Sequence, residues 1–172
     1  MTAKTYIVGL DLETTGLDQA EGHRIVEIAL SVYDLNTAKR VGQYLTRVNP
    51  QRGIDPKAQE VHGISFEELA HEPVWEEVAP KVSAILARCK FAIAHNGEGF
   101  DMPFVAGELQ RVGQPIPHLG LVDTMLQARW ATPDGALPLN AHVHRVFGVH
   151  FRNQAFDVHL RAGRVQGGNG AG

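Results

Sequence analysis

The chain has 172 residues, a formal net charge of −3, 44% hydrophobic residues and 20% charged residues, which suits one globular domain with a sizeable core. No apolar run is long enough to span a bilayer, no apolar leader segment precedes Asp11, and the single Cys89 excludes a disulfide within the chain. A cytoplasmic protein without a membrane partner is therefore expected, and the slightly acidic balance argues against a dedicated nucleic-acid coat.

Residues 5–12 read as a first strand, and 24–33 as a second whose apolar residues on both faces suggest burial on both sides. Residues 41–48 form a third strand, closed by Asn49-Pro50, and the short connections predict antiparallel hairpins. Ser65 and Glu68 have the spacing of a capping box, which should open a short helix. From Val74 to Cys89 the residues Trp75, Val78, Val82, Ile85, Leu86 and Cys89 share one helical face, with Pro80 as a kink or early break. Phe91-Ala92-Ile93-Ala94 is a short buried strand, Met102–Arg111 a helix stopped by Gly113, and 119–122 a fifth strand. Helical stretches follow over 139–147 and 156–165, then a Gly-rich tail at 167–172 that is expected to be disordered. Strands first, then strand and helix in alternation, predict an α/β fold with a mixed five-stranded sheet flanked by helices, in one domain over 1–166.

The chemistry starts in Gly9-Leu10-Asp11-Leu12-Glu13-Thr14-Thr15-Gly16-Leu17. A strand repeats every two residues, so Asp11 and Glu13 point to one face and repel each other unless a cation lies between them. A lone pair of this kind is ordinarily just a solvated strand end. Here Asp101 follows a polar loop, His95-Asn96-Gly97-Glu98-Gly99-Phe100, at the end of another strand. Asp157 lies amid Phe156, Val158 and Leu160. Asp101 alone could be a helix N-cap, contributing about 1 kcal/mol. Four acids on three separate elements suit two-metal phosphoryl chemistry. Charge is also uneven: residues 1–110 hold ten Lys/Arg against sixteen Asp/Glu, and 111–172 six against three.

These residues resemble the DnaQ-like, or DEDD, 3′–5′ exonucleases, over about 7–162. Asp11-Leu12-Glu13-Thr14-Thr15-Gly16-Leu17 is similar to the family's first motif and His95-Asn96 to Phe100-Asp101 to its second. The spacer 97–99 and Met102-Pro103-Phe104 are closest in style to TREX-type members. Val61-His62-Gly63-Ile64 and Val122-Asp123-Thr124 match further family segments. The resemblance implies a ribonuclease H-like fold and a two-metal site for Mg²⁺ or Mn²⁺. Asp11, Glu13 and Asp157 would ligate metal, with Asp101 acting through water held there. Thr14, Thr15, Leu17, His62 and Asn96 would line the terminal-nucleotide site. The implied substrate is a single-stranded or frayed 3′ end, of DNA by the TREX-like motif, with RNA the alternative. A homodimer or a polymerase partner is compatible with the sequence, which does not choose between them.

The third motif departs from the pattern. Family members carry a His five residues, or a Tyr four residues, before the last Asp; those positions are Arg152 and Asn153, neither a good base near neutral pH. A one-residue deletion would instead set Asn153 at the His position. Three readings follow: His150 serves as a catalytic base, no side chain does, or His159, His142, His144 or a shifted motif fills the role. The function expected is exonucleolytic release of nucleoside monophosphates from 3′ ends. The alternative is a weak or inactive end-binding protein that keeps the metal cluster. A Ca²⁺-binding module is disfavoured, because its ligands would cluster in one loop.

Overall fold

A computed structural model describes residues 4–127. Asp157, His150, the expected helices over 139–147 and 156–165, and the tail lie outside the described residues. So do Arg152, Asn153 and the other C-terminal histidines.

The sheet has five strands in the order β3-β2-β1-β4-β5. β1 (Tyr6–Thr14), β2 (Ile25–Asp34) and β3 (Lys39–Arg47) form two antiparallel hairpins, as the short connections require. β4 (Phe91–Ala94) and β5 (Gly120–Asp123) add to β1 in parallel. The mixed, helix-flanked sheet is the one expected, with strand ends shifted by one or two residues. β1 shows why the pattern was readable. Val8, Leu10 and Leu12 are buried on one face, and Gly9, Asp11 and Glu13 alternate on the other.

The buried face packs on α2 (Trp75–Leu86) and α3 (Asp101–Arg111). Trp75, Val78, Val82 and Leu86 form the expected stripe of α2, and each buried large side chain contributes about 1.5–3 kcal/mol. α2 runs through Pro80, whose missing N–H leaves the Glu76 carbonyl without its helical donor, so packing rather than backbone bonding holds that turn. The helix ends at Leu86 instead of Cys89, in a series of tight backbone bonds; Cys89 is core, its thiol donating to the Ile85 carbonyl at 3.4 Å. Gly113 stops α3 in a left-handed conformation (φ 68°). A buried Glu108 binds Arg24 of the β2 approach and Arg111, which reaches Glu76 at 2.6 Å, so α3 is tied to both the sheet and α2.

Two local expectations need correction. Ser65 and Glu68 do form a reciprocal capping box, Ser65 N–H to Glu68 Oε2 at 2.8 Å and Glu68 N–H to Ser65 Oγ at 3.3 Å. It opens only a 3₁₀ turn, Glu67–Leu69, in which Leu69 alone is buried. A helix not foreseen, α1 (Pro56–His62), precedes it. Asp55 caps α1 by accepting from Lys57 N–H at 2.8 Å, Pro56 occupies its first turn, and Gly63 closes it at φ 75°. A four-residue helix, α4 (Thr124–Gln127), follows β5 directly.

Candidate active site

The carboxylates gather where β1, β4 and β5 end. This is the end of an α/β sheet where loops and helix N-termini converge. Asp11 and Glu13 share the open face of β1. Glu13 lies directly across from Glu27 on β2, and Glu27 from Arg47 on β3. Arg47 binds Glu27 at 3.5 Å and Glu68 at 3.1 Å, giving that acidic row one cation.

Asp101 reaches the site through a tightly built loop. Asn96 adopts a left-handed conformation (φ 61°), which Asn tolerates better than most residues. Gly97 packs so closely that a Cβ there would stand 2.6 Å from the Ala94 Cβ. The Asp123 carboxylate then accepts four backbone N–H groups: Asn96 at 3.1 Å, Glu98 at 3.0 Å, Met125 at 2.9 Å and Leu126 at 3.3 Å. Thr124 donates to the Ala94 carbonyl and so accepts from His95 Nδ1–H at 3.1 Å. Asp123 was visible in sequence only as part of a family-like segment. Half of its clamp, Asn96 and Glu98, lies more than 20 residues away, so no local pattern reveals the whole of it. Asp123→Ala should destabilise the fold by about 3 kcal/mol, since it strands four part-buried backbone donors, and Asp123→Asn, which can still accept, by less. Denaturant melts of the two variants check this order.

Asp101 is not the N-cap that its sequence position allowed. The cap position is Phe100, no side chain caps the helix, and Asp101 is 4% exposed as the first helical residue. Burial raises its pKa to about 7, with the Asp123 and Glu13 charges adding to the rise, while its own amide and that of Leu12 oppose it. Burial likewise holds Asp11 well above the usual carboxylate range, reinforced by Asp101, Glu13 and Glu27. A carboxyl set this reluctant to ionise is what a bound cation would relieve. Among the described residues, no group of three or more His, Cys, Asp or Glu side chains is by itself arranged to hold a metal ion. Asp157, the third expected ligand, lies outside them.

A cleft of about 530 Å³ opens beside these acids. It brings together Glu13, Thr14, Leu17 and His62 of the expected site, and adds Phe100, His23 and Lys57. Leu17 is 83% exposed and Val61 stands exposed beside it. His62, the last residue of α1, accepts the Ile64 N–H at Nδ1 (3.0 Å), which places its own proton on Nε2. Burial lowers its pKa, the Thr14 carbonyl opposing and Arg47 adding to the drop, and its Nε2 is buried.

Two expected lining residues do not meet this cleft. Thr15 is 0% exposed; its hydroxyl accepts Arg24 N–H at 3.0 Å and faces His23 Nδ1 at 3.0 Å, and its carbonyl accepts Asp55 N–H at 2.8 Å. It pins the turn and α1 to β1. Asn96 shapes the Asp101 loop instead. His23 was missed because its place is set by Gly16: a Cβ on Gly16 would meet the His23 ring at 2.2 Å.

A family model for the RNase_T exonuclease domain matches residues 8–152. The chain belongs to the DnaQ-like 3′–5′ exonuclease family. It is 33% identical over 136 residues to the DNA polymerase III subunit epsilon of Rickettsia conorii, covering 77% of this chain and 58% of that protein. It is 32% identical over 131 residues to the 3′–5′ exonuclease DinG of Bacillus subtilis, 76% of this chain and 14% of that one. The exonuclease-family chain thus spans little more than half of the first relative and a small part of the second. Escherichia coli exonuclease I in complex with a dA16 oligonucleotide shares the fold, at TM-score 0.67 and 16% identity, over 76% of this chain and 30% of that chain. The family match ends at residue 152, before Asn153 and Asp157.

Proposed function

We propose that this chain is a divalent-metal-dependent exonuclease that releases nucleoside monophosphates from the 3′ end of single-stranded or frayed DNA. One observation carries the reading: buried Asp101 and half-buried Asp11 and Glu13 lie close enough at the strand ends to repel one another, beside a cleft with an exposed apolar mouth. Asp11, Glu13 and Asp157 would hold two Mg²⁺ or Mn²⁺ ions, since hard oxygen donors suit hard cations. Such ions would supply charge neutralisation at the scissile phosphate and Lewis acidity toward the attacking water.

The chain's own residues do the rest. The cleft takes the terminal nucleoside. Leu17 and Val61 give an unstacked base an apolar surface, His62 closes the wall with its Nε2 buried, and Thr14 fixes the cleft floor by donating to the Gly16 carbonyl at 2.7 Å. Thr15 and Asn96 act by positioning these groups. Asp101, its pKa raised to about 7 in the metal-free protein, would be held ionised by cations bound beside it. RNA ends are a second substrate to assay, and a polymerase subunit is the first partner to test, because the relatives matched are named as polymerase III subunits. No helix among the described residues is long and apolar enough to cross a membrane, and a cytoplasmic location is proposed with the lone, buried Cys89 in support.

A site built around a terminal nucleotide needs a free end. Linear single-stranded DNA with a 3′-hydroxyl should be degraded with Mn²⁺, and a 3′-phosphate should slow it strongly. Circular single-stranded DNA should survive. Cutting of the circle at the linear rate would make the enzyme an endonuclease and defeat the proposal. Metal-dependent binding of the linear strand without mononucleotide release would favour the end-binding alternative.

A further inference from the structure

β3 is the edge of the sheet, and among the described residues no strand pairs with its outer side. An open edge presents unpaired N–H and C=O groups and can accept another strand. On the sheet face opposite Asp11 and Glu13, this edge opens into a groove of about 290 Å³ between β3 and the end of α2. Val32, Tyr44 and Ile85 give it apolar walls, and Gly42 leaves a gap in the strand beside it. Arg88 lines the groove too, and Lys81 Nζ sits 4.1 Å from the centre of the Tyr44 ring. Among the described residues neither cation has an acidic partner. The strand itself, KRVGQYLTR, carries three cations and no acid.

We propose that this edge docks an extended acidic peptide segment of a partner protein. The segment adds a strand to β3, seats an apolar side chain over Gly42 and sets carboxylates against Lys81 and Arg88. Strand addition of this kind takes affinity from main-chain bonds and specificity from pockets for alternate side chains. Charge selects the occupant. A second copy pairing through β3 would bring no acid of its own strand to Lys81 and Arg88, because KRVGQYLTR carries none. A nucleic-acid strand would meet the cations but has no amides with which to complete the ladder. An acidic peptide satisfies the ladder, the groove and the cations together.

Gly42 allows a clean test, because a Cβ there meets only the Val32 Cβ at 3.9 Å, an ordinary contact. Gly42→Leu therefore fills the groove without straining the strand. The probe is a fluorescein-labelled peptide of alternating glutamate and valine, titrated by anisotropy into the full chain at low salt. It should bind saturably, lose about tenfold or more in affinity with Gly42→Leu and with Arg88→Glu, and weaken with salt. A lysine-for-glutamate peptide should not bind, and degradation of a short oligonucleotide should be unchanged in both variants. No saturable binding, or binding indifferent to both substitutions, overturns the proposal. Displacement of the peptide by oligothymidylate, with the same sensitivity to both variants, would assign the edge to nucleic acid instead. A wild-type dimer in sedimentation that Gly42→Leu dissociates would assign it to a second copy.

Discussion

Asp11→Asn should remove nuclease activity by about 10³-fold or more while making the metal-free protein more stable at neutral pH. Both effects follow from one cause. Asp11 is held well above the usual carboxylate range by burial and by Asp101, Glu13 and Glu27, so ionising it opposes folding. Asp101 behaves the same way, its pKa raised from 3.8 to about 7. A carboxyl with a raised folded-state pKa favours the fold while it is protonated. Its contribution is complete below about pH 4, falls as pH rises toward 7, and is absent above that. For Asp101 the span corresponds to an energy on the order of 4 kcal/mol. The metal-free wild type should therefore melt at a lower temperature at pH 8 than at pH 5. Asp11→Asn and Asp101→Asn should each flatten that slope, with a change of about 2–4 °C per kcal/mol. Mn²⁺ should raise the wild-type melting temperature at pH 8 and leave Asp11→Asn nearly unmoved, since a ligand stabilises only the state it binds. Two results would reject this account: an Asp11→Asn variant with near-normal turnover, or one less stable than wild type at pH 8 without metal.

The same acids show what a sequence does and does not expose. Asp11 and Glu13 were readable because a strand's period of two is fixed by geometry, and Val8, Leu10 and Leu12 announce the buried face. The stripe of α2 was readable for the corresponding helical reason. Where burial is absent, periodicity has nothing to report. α1 buries no residue, so only Asp55-Pro56 at its start and Gly63 at its stop mark it, and it was missed. Side-chain roles were harder again. Thr15 and Asn96 sit inside family-like motifs, yet their hydrogen bonds go to Arg24, Asp55 and Asp123. Those partners lie 9 to 40 residues away in the chain, and only the fold brings them together. Asp101 stood one residue from a cap position, and its burial decided against that simpler role.

Asn153→His should raise turnover by about 10²-fold or more, the lower range of what a placed general base contributes. By the family resemblance, a His or Tyr would stand where this chain has Arg152 and Asn153, and neither side chain takes up a proton usefully near neutral pH. Our reading is that no side-chain base assists the attack, so His150→Ala should change the rate by less than about threefold. The insertion of one residue before Asp157 alongside Asn153→His covers the case in which the motif is a residue short. The pH profile separates the mechanisms. Without a histidine base, the wild-type rate should keep climbing above neutral pH, as the supply of ionised nucleophile grows. With Asn153→His, the profile should level off after an apparent pKa near that of imidazole, about 6.5. Metal affinity, read by Mn²⁺ titration, should be the same in wild type, His150→Ala and Asn153→His. A wild-type turnover of about 1–10³ per second that collapses in His150→Ala would show instead that His150 is the base, supplied from two positions before Arg152 by a rearranged loop.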